Sequence, residues 1–110
     1  MIKNLTTQKI VCDDEIRAES FLNKSLGFLT FPNDKGLIIK TRFGIHTFGL
    51  KYKIDVIILN REKKVVKLKE NLEKNRIFLW NPRFHLVIEL PHGSIKKSKS
   101  KLGDYFSFLL

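Results

Sequence analysis

The sequence predicts a mainly β fold, a small β-sandwich or barrel of short strands with one N-terminal amphipathic helix. Short apolar runs recur along the chain with Asn, Asp, Gly and Pro between them, which is the pattern of small all-β domains. The run IDVIIL at residues 54–59 is almost continuously apolar and is typical of a central strand covered on both faces. The stretch FHLVIEL at residues 84–90 places apolar residues at every second position and ends at Pro91, as a strand does.

The N-terminal third is predicted to hold the single helix. Residues 10–12 are apolar and predict a short first strand. Over residues 14–25, Ile16 and Leu22 fall near one another on a helical projection, and Asp13 offers an N-cap for the first turn. The pattern then predicts a strand at residues 28–31, a Pro-Asn-Asp turn at 32–34 and a strand at 36–41.

The C-terminal half is predicted to consist of strands joined by polar connections. A turn at residues 60–63 brings back a hairpin partner at 65–69 for the central strand. The remaining elements are a polar connection at 70–75, a strand at 76–80 with Trp80 partly exposed, an exposed basic loop at 95–101 and a last strand at 105–110.

Length and composition place limits on the class of protein. A chain of 110 residues with 43% apolar residues predicts one globular domain over residues 1–110. No apolar run approaches the roughly 18 residues that a membrane-spanning helix needs, and the first residues show no apolar core of a signal peptide. The single cysteine, Cys12, permits neither an internal disulfide nor a cysteine metal cage. We therefore expect a cytoplasmic protein with no membrane partner.

The net charge of +10 favours anionic partners and leaves two interpretations open. Lysine dominates, and a lysine-rich surface is often simply a solvated surface, because the ammonium group is a strongly hydrated point charge. The other interpretation is binding to the phosphate backbone of a nucleic acid. The lysines expected to make these contacts lie in the predicted hairpin and basic loop: Lys63, Lys64, Lys96, Lys97, Lys99 and Lys101.

Four polar residues form the candidate ligand site. His46 and Thr47 lie in a short segment between two glycines, where backbone can approach a ligand closely. Asp55 and Glu89 are carboxylates embedded in apolar strands, and burying them is costly unless they are paired or hydrogen-bonded. Either the four line a polar pocket with His46 as base or donor, or each is satisfied by backbone and has a structural role.

No complete catalytic or metal-binding signature is present. The sequence lacks a zinc motif, a glycine-rich phosphate loop and a hydrolase serine motif, so we expect no metal and no cofactor. We favour a non-enzymatic domain, monomeric or weakly dimeric, that binds a small ligand or a protein partner near His46, Asp55 and Glu89. The alternatives are nucleic-acid binding through the lysines and a small enzyme that uses the same polar group.

Three segments carry a resemblance to a known family. They are AESFLNKSLGF at residues 18–28, IHTFGLKYKIDVIILNREKKVV at 45–66, and VIELPHG at 87–93 followed by LGD at 102–104. Their order and spacing resemble the domain of unknown function 192 family, small and largely uncharacterised proteins of bacteria and archaea. The resemblance implies a compact β-barrel or sandwich with one helix and implies no established reaction. Leu50 stands where that family often has methionine.

Overall fold

The computed structural model describes residues 1–18 and 35–109. Within these ranges the chain forms short strands in three sheets and a five-residue helix, so the prediction of a mainly β fold is confirmed. The elements are β1 (Ile2–Asn4), β2 (Lys9–Cys12), β3 (Glu15–Ala18), β4 (Gly36–Lys40), β5 (Gly44–His46), β6 (Ile54–Leu59), β7 (Val65–Leu72), β8 (Ile77–Leu79), β9 (Leu86–Pro91), α1 (Ser94–Ser98) and β10 (Phe106–Ser107).

The largest sheet has five strands in the order β3-β4-β9-β6-β7. β3 runs parallel to β4, and every other neighbouring pair is antiparallel. All six residues of β6 are buried, which confirms the interior strand predicted from IDVIIL. β9 is buried on both faces as well, although its alternating sequence is typical of a strand with one polar face. The smaller sheets have the orders β10-β1-β2 and β5-β8.

Two apolar clusters cover the two faces of this sheet. Because side chains alternate along a strand, Ile57 and Ile88 belong to the first cluster, while Val56 and Val87 belong to the second. The three-stranded sheet and α1 pack on the first cluster, and β5 and Trp80 pack on the second. Each fully buried Val, Ile or Leu side chain contributes roughly 1.5–3 kcal/mol, so the two clusters together hold the sheet in place.

The predicted N-terminal helix is wrong for the residues that the structure describes. Residues Glu15–Ala18 form β3, which pairs with β4 so that Ile16 lies beside Leu37. The apolar spacing of this segment fits a helix locally, but a free ladder edge on β4 supplies backbone hydrogen bonds that outweigh local propensity. Residues 19–25, together with the strand predicted at 28–31 and the turn at 32–34, lie outside the described residues.

The helix of the described chain is α1, in the segment predicted to be an exposed loop. Ile95 is 2% exposed and packs on the first cluster, and the Ser98 hydroxyl donates to the Ser94 carbonyl (2.8 Å). The packing of Ile95 gives this lysine-rich segment one buried apolar contact with the core. No helix of residues 1–18 and 35–109 is long and apolar enough to cross a membrane.

Other differences concern the bounds and exposure of elements. The chain begins with β1, so the strand predicted at residues 10–12 is the second one. β7 extends to Leu72 through part of the predicted polar connection, with a register shift opposite residues 54–56. Trp80 is buried, 7% exposed, because its indole N–H donates to the Phe84 carbonyl (2.8 Å) and its ring packs on the second cluster.

A buried amide joins the two ends of the chain. The Asn4 Nδ2 group donates to Ser100 Oγ (3.0 Å) and to Asp104 Oδ2 (2.9 Å). Its Oδ1 atom accepts the backbone N–H groups of Thr6 and Thr7 (2.9 and 3.0 Å). The Asn4 side chain is fully buried and fully hydrogen-bonded, so it fixes the first hairpin against the segment before β10.

We expect Asn4→Asp to destabilise the fold in a pH-dependent way. The substitution replaces a donor with a second carboxylate 2.9 Å from Asp104 Oδ2. It should lower the free energy of unfolding by about 3 kcal/mol near pH 7, because a buried charge then lacks its partner. Acidification should restore part of this loss, since one of two adjacent carboxyls takes up a proton. Urea unfolding across the pH range measures both effects.

Asn81→Asp is the matched control, because Asn81 is exposed and uses its Oδ1 atom only to accept the Arg83 N–H (3.0 Å). It adds the same charge and keeps the acceptor. Equal losses of stability in the two variants near pH 7 would contradict the role given to Asn4.

Candidate functional site

The structure does not bring the four predicted site residues together. In the antiparallel pair of β6 and β9, Asp55 lies opposite Leu90, and Glu89 lies opposite Val56. Directly opposed residues project to the same face of a sheet. Asp55 therefore points toward the first cluster with Leu90, and Glu89 points toward the other face with Val56. The two carboxylates lie on opposite faces of the sheet.

The Asp55 carboxylate is satisfied by two backbone N–H groups. Its Oδ1 atom accepts from Asn71 and its Oδ2 atom from Ile95, both at 2.9 Å. Asn71 has a φ of 53°, and its contact with Asp55 holds the irregular end of β7. Ile95 lies in the first turn of α1, where Gly93 offers no side-chain cap. Asp55 thus supplies the missing cap from a distant strand.

Thr47 also has a structural role, whereas His46 lies at the surface. The buried Thr47 hydroxyl donates to the Glu73 carbonyl (2.7 Å) and accepts the Arg76 N–H (2.8 Å), which fixes the turn before β8. His46 is exposed, and its Nδ1 atom accepts the Phe48 N–H (3.3 Å). The His46 and Phe48 rings stack with their centroids 5.3 Å apart.

Glu89 is the one predicted residue with an unusual electrostatic environment. Its side chain is 1% exposed, and its Oε1 atom has no hydrogen-bond partner among the described residues. Burial raises the pKa of this carboxyl well above its ordinary value of 4.5. Proton uptake lowers the cost of burial, since the neutral acid is far easier to desolvate than the carboxylate.

A cationic cavity lies at one end of the five-stranded sheet. It measures about 720 Å³ and opens where β4 ends, β6 ends and β9 begins. We call it the strand-end pocket. The apolar residues that line it are Leu59, Phe84 and Leu86, of which only Phe84 is more than slightly exposed. Its cationic or titratable basic side chains are Lys40, Arg42, Arg61, Arg83 and His85, and Glu62 adds one carboxylate to the lining.

Short hydrogen bonds hold these basic residues at the pocket. The Arg42 guanidinium donates to the Pro82 carbonyl through Nη1 (2.7 Å), and the Thr41 N–H donates to the His85 carbonyl (2.8 Å). Two asparagine turns support the remaining segments. The Asn60 Oδ1 atom accepts the Glu62 N–H in the turn that carries Arg61, and the Asn81 Oδ1 atom accepts the Arg83 N–H, both at 3.0 Å. Arg61 and Arg83 are therefore attached to turns with fixed geometry.

His85 reports the positive field of the pocket. Burial lowers its pKa below the ordinary value of 6.5, and the charges of Arg42, Lys40 and Arg61 lower it further. Each of these contributions disfavours the imidazolium form, because a second positive charge would be poorly solvated and repelled. An anion in the pocket would reverse the Coulombic part of the effect.

Sequence reasoning missed this pocket because its residues are far apart in the chain. They come from residues 40–42, 59–62 and 83–86, and only the pairing of β4, β9 and β6 brings them together. One usable signal was present. Three of the chain's five arginines lie within two residues of the end of a predicted strand, and arginine is the residue best suited to bidentate contacts with anions.

The predicted nucleic-acid-binding lysines lie elsewhere. The Lys63 ammonium donates to the Phe108 carbonyl (2.6 Å), and the Lys64 ammonium lies 5.9 Å from the centre of the Tyr105 ring. The other four are exposed along α1 and just after it: Lys96, Lys97, Lys99 and Lys101. Among the described residues, no cluster of three His, Cys, Asp or Glu side chains could hold a metal ion.

We expect Glu89→Gln to stabilise the protein at neutral and higher pH. The folded-state pKa of Glu89 is raised, so its protonated form contributes stability below the unfolded pKa of about 4.5, and this contribution is lost as pH rises through the folded pKa. Glutamine keeps the shape but cannot ionise. The free energy of unfolding of the variant should therefore exceed that of wild type increasingly with pH, as measured by urea titration.

Glu62→Gln makes the same substitution at an exposed position and serves as the control. A difference between Glu89→Gln and wild type that stays constant from acid to alkaline pH would show that Glu89 does not change its protonation in this way.

Comparison with known proteins identifies relatives of this chain. No family model matches the sequence. A UPF0127 protein from Pyrococcus abyssi is 36% identical over an alignment of 93 residues, and the match covers 79% of this chain and 79% of that protein. This finding corrects the resemblance to the domain of unknown function 192 family that the three sequence segments suggested.

Two solved structures have a similar fold. A protein of unknown function from Novosphingobium aromaticivorans matches with a TM-score of 0.74 at 14% identity, covering 86% of this chain and 74% of that one. A proposed transcription regulator from Sinorhizobium meliloti matches with a TM-score of 0.75 at 15% identity, covering 84% and 79%. These identities establish a shared fold alone. The sequence relationship goes further, and by it this chain belongs to the UPF0127 family.

Proposed function

We propose that this protein is a non-enzymatic binding domain that holds a small anionic ligand in the strand-end pocket. The observation that carries the proposal is an excess of positive charge around one open cavity of about 720 Å³, where four cationic side chains and His85 face the single carboxylate of Glu62. Like charges held close together repel one another, and a concave site focuses their field. A bound anion relieves that repulsion.

The chemistry of the walls indicates the kind of anion. Arg42, Arg61 and Arg83 carry planar guanidinium groups, which contact phosphate or carboxylate through two parallel hydrogen bonds. The half-buried Phe84 offers an apolar surface beside them, whereas Leu59 and Leu86 are buried in the first cluster behind the pocket. Small-ligand sites commonly combine such apolar walls with a few converging polar groups. We infer a ligand with a phosphate or carboxylate group and an apolar portion.

This proposal keeps the binding function expected from the sequence and changes its location. The side-chain oxygens of Asp55 and Thr47 form hydrogen bonds with backbone groups, which supports a structural role for both residues. We also propose a cytoplasmic location, in keeping with the free thiol of Cys12. If the protein is instead an enzyme that acts at the strand-end pocket, His85 would be its general acid or base. Chemical conversion of a bound ligand would show such an activity.

Nucleic-acid binding is the second candidate. Lys96, Lys97, Lys99 and Lys101 are all exposed, and none of the four forms an ion pair with a carboxylate of the described residues. Four ammonium groups on one short segment suit contacts with successive phosphates. The Sinorhizobium meliloti protein is called a regulator of transcription, but its likeness to this chain concerns the fold.

We expect Arg61→Gln and Arg83→Gln each to weaken the binding of citrate, inorganic phosphate or adenosine monophosphate. Each change removes one charge-assisted contact, and the dissociation constant should rise about tenfold. Isothermal titration calorimetry at about 50 mM salt measures it, because higher salt screens exposed charges. Wild type should bind at least one of the three probes.

Lys96→Gln is the charge-matched control, since it removes one positive charge outside the pocket. Equal weakening by Lys96→Gln and Arg61→Gln would show that net charge alone drives binding and would reject the pocket. Failure of wild type to bind any of the three probes would also reject it. If Lys96→Gln weakens binding to duplex DNA or RNA while Arg61→Gln does not, the second candidate is supported.

A further inference from the structure

Phe43 is held at the surface in an unfavourable backbone conformation. Its φ is 73°, and the Gly44 N–H donates to the Arg42 carbonyl (2.8 Å) across it. These features define a γ-turn of the positive-φ type, which is rare and strained. Large side chains seldom adopt positive φ, and 64% of the Phe43 residue surface is exposed. Strained residues of this kind cluster at sites of interaction.

The sheet of β5 and β8 has an apolar outer face next to Phe43. Gly44 pairs with Leu79 and His46 pairs with Ile77, so these four residues project to one side. Ile77 and Leu79 are each 62% exposed. Leu79 lies directly over Gly44, because a Cβ atom there would be 2.6 Å from Leu79 Cδ2. Phe48, 49% exposed, stacks on His46 at the other end.

Three cations lie at the edges of this two-stranded sheet, and two of them, Arg42 and Lys67, donate short hydrogen bonds to backbone carbonyls. Lys67 donates from Nζ to the Leu79 carbonyl (2.8 Å), and its ammonium lies 4.9 Å from the centre of the Phe78 ring. Arg42 donates to the Pro82 carbonyl beside Phe43, and Arg76 donates to the carbonyls of residues 74 and 75 beside Ile77. Among the described residues, none of these three cations forms an ion pair with a carboxylate.

Against the expectation from the sequence that the protein has no membrane partner, we propose that this face docks on the surface of an anionic lipid bilayer. Phe43, Ile77 and Leu79 would enter the boundary between headgroups and acyl chains, and Arg42, Lys67 and Arg76 would contact lipid phosphates. Peripheral membrane proteins combine exposed apolar residues with a basic border in this way. The docking surface is separate from the proposed ligand site except for Arg42, which borders both.

Charge and residue type favour lipid over the other occupants. A second copy of this chain would bring another +10 of charge and a second basic border against the first. Single-stranded nucleic acid binds by stacking bases on aromatic rings, whereas the centre of this face is aliphatic, Ile77 and Leu79. Anionic lipid complements both parts of this face, because its acyl chains suit the apolar centre and its phosphates suit the basic border.

Vesicle co-sedimentation tests the proposal at about 100 mM salt, where long-range attraction is screened. The probes are vesicles of equal parts phosphatidylglycerol and phosphatidylcholine, and vesicles of phosphatidylcholine alone. Phe43→Asn removes the ring and installs a residue that tolerates positive φ, so the fold is preserved. Leu79→Ser removes an aliphatic side chain from the face. Leu102→Ser is the control, because Leu102 is 65% exposed elsewhere on the surface.

We expect wild type to bind the phosphatidylglycerol vesicles, and Phe43→Asn and Leu79→Ser to weaken that binding about tenfold each while Leu102→Ser leaves it unchanged. All three substitutions keep the net charge. Equal binding by all four proteins would mean that charge alone attracts the vesicle and would overturn the proposal. It would also be overturned if wild type does not bind, or if Phe43→Asn impairs binding to an RNA oligomer or an acidic peptide and not to vesicles.

Discussion

The register of β9 between β4 and β6 determines the rest of the described structure. Leu86, the first residue of β9, lies opposite Lys40 on one side and opposite Leu59 on the other. This alignment brings the ends of three strands to one edge of the sheet, where the strand-end pocket opens. The same register separates Asp55 from Glu89, because a shift of β9 by one residue would turn Glu89 to the face to which Asp55 projects.

Backbone carbonyl and amide groups fix three of the charged side chains discussed above, Asp55, Arg42 and Lys67. Asp55 accepts two N–H groups and caps α1 from a strand 40 residues earlier in the chain. Arg42 and Lys67 donate to carbonyl oxygens of neighbouring segments. A cation held in this way loses little further side-chain entropy when an anion binds, so the site is partly organised in advance. The same arrangement serves the strand-end pocket and the border of the outer face of β5 and β8.

Elements whose structure depends on local sequence patterns could be predicted from the sequence. Elements whose structure depends on contacts between distant residues could not. IDVIIL identifies an interior strand because a strand buried on both faces must be apolar throughout. Residues 15–18 look helical because their spacing fits a helix as well as a strand, and only the ladder with β4 distinguishes the two. α1 escapes prediction because it spans five residues and receives its cap from Asp55. The strand-end pocket could not be predicted from the sequence, because strand order and register bring its residues together.

The central claim is that the strand-end pocket binds an anion, and His85 gives the most direct test of it. Its pKa can be followed by NMR titration of the imidazole signals of wild type, first without added anion and then with inorganic phosphate. We expect a pKa below the ordinary value of 6.5 without phosphate, because burial and the charges of Arg42, Lys40 and Arg61 lower it, and an increase when phosphate neutralises the pocket. A His85 pKa that phosphate leaves unchanged would contradict the account.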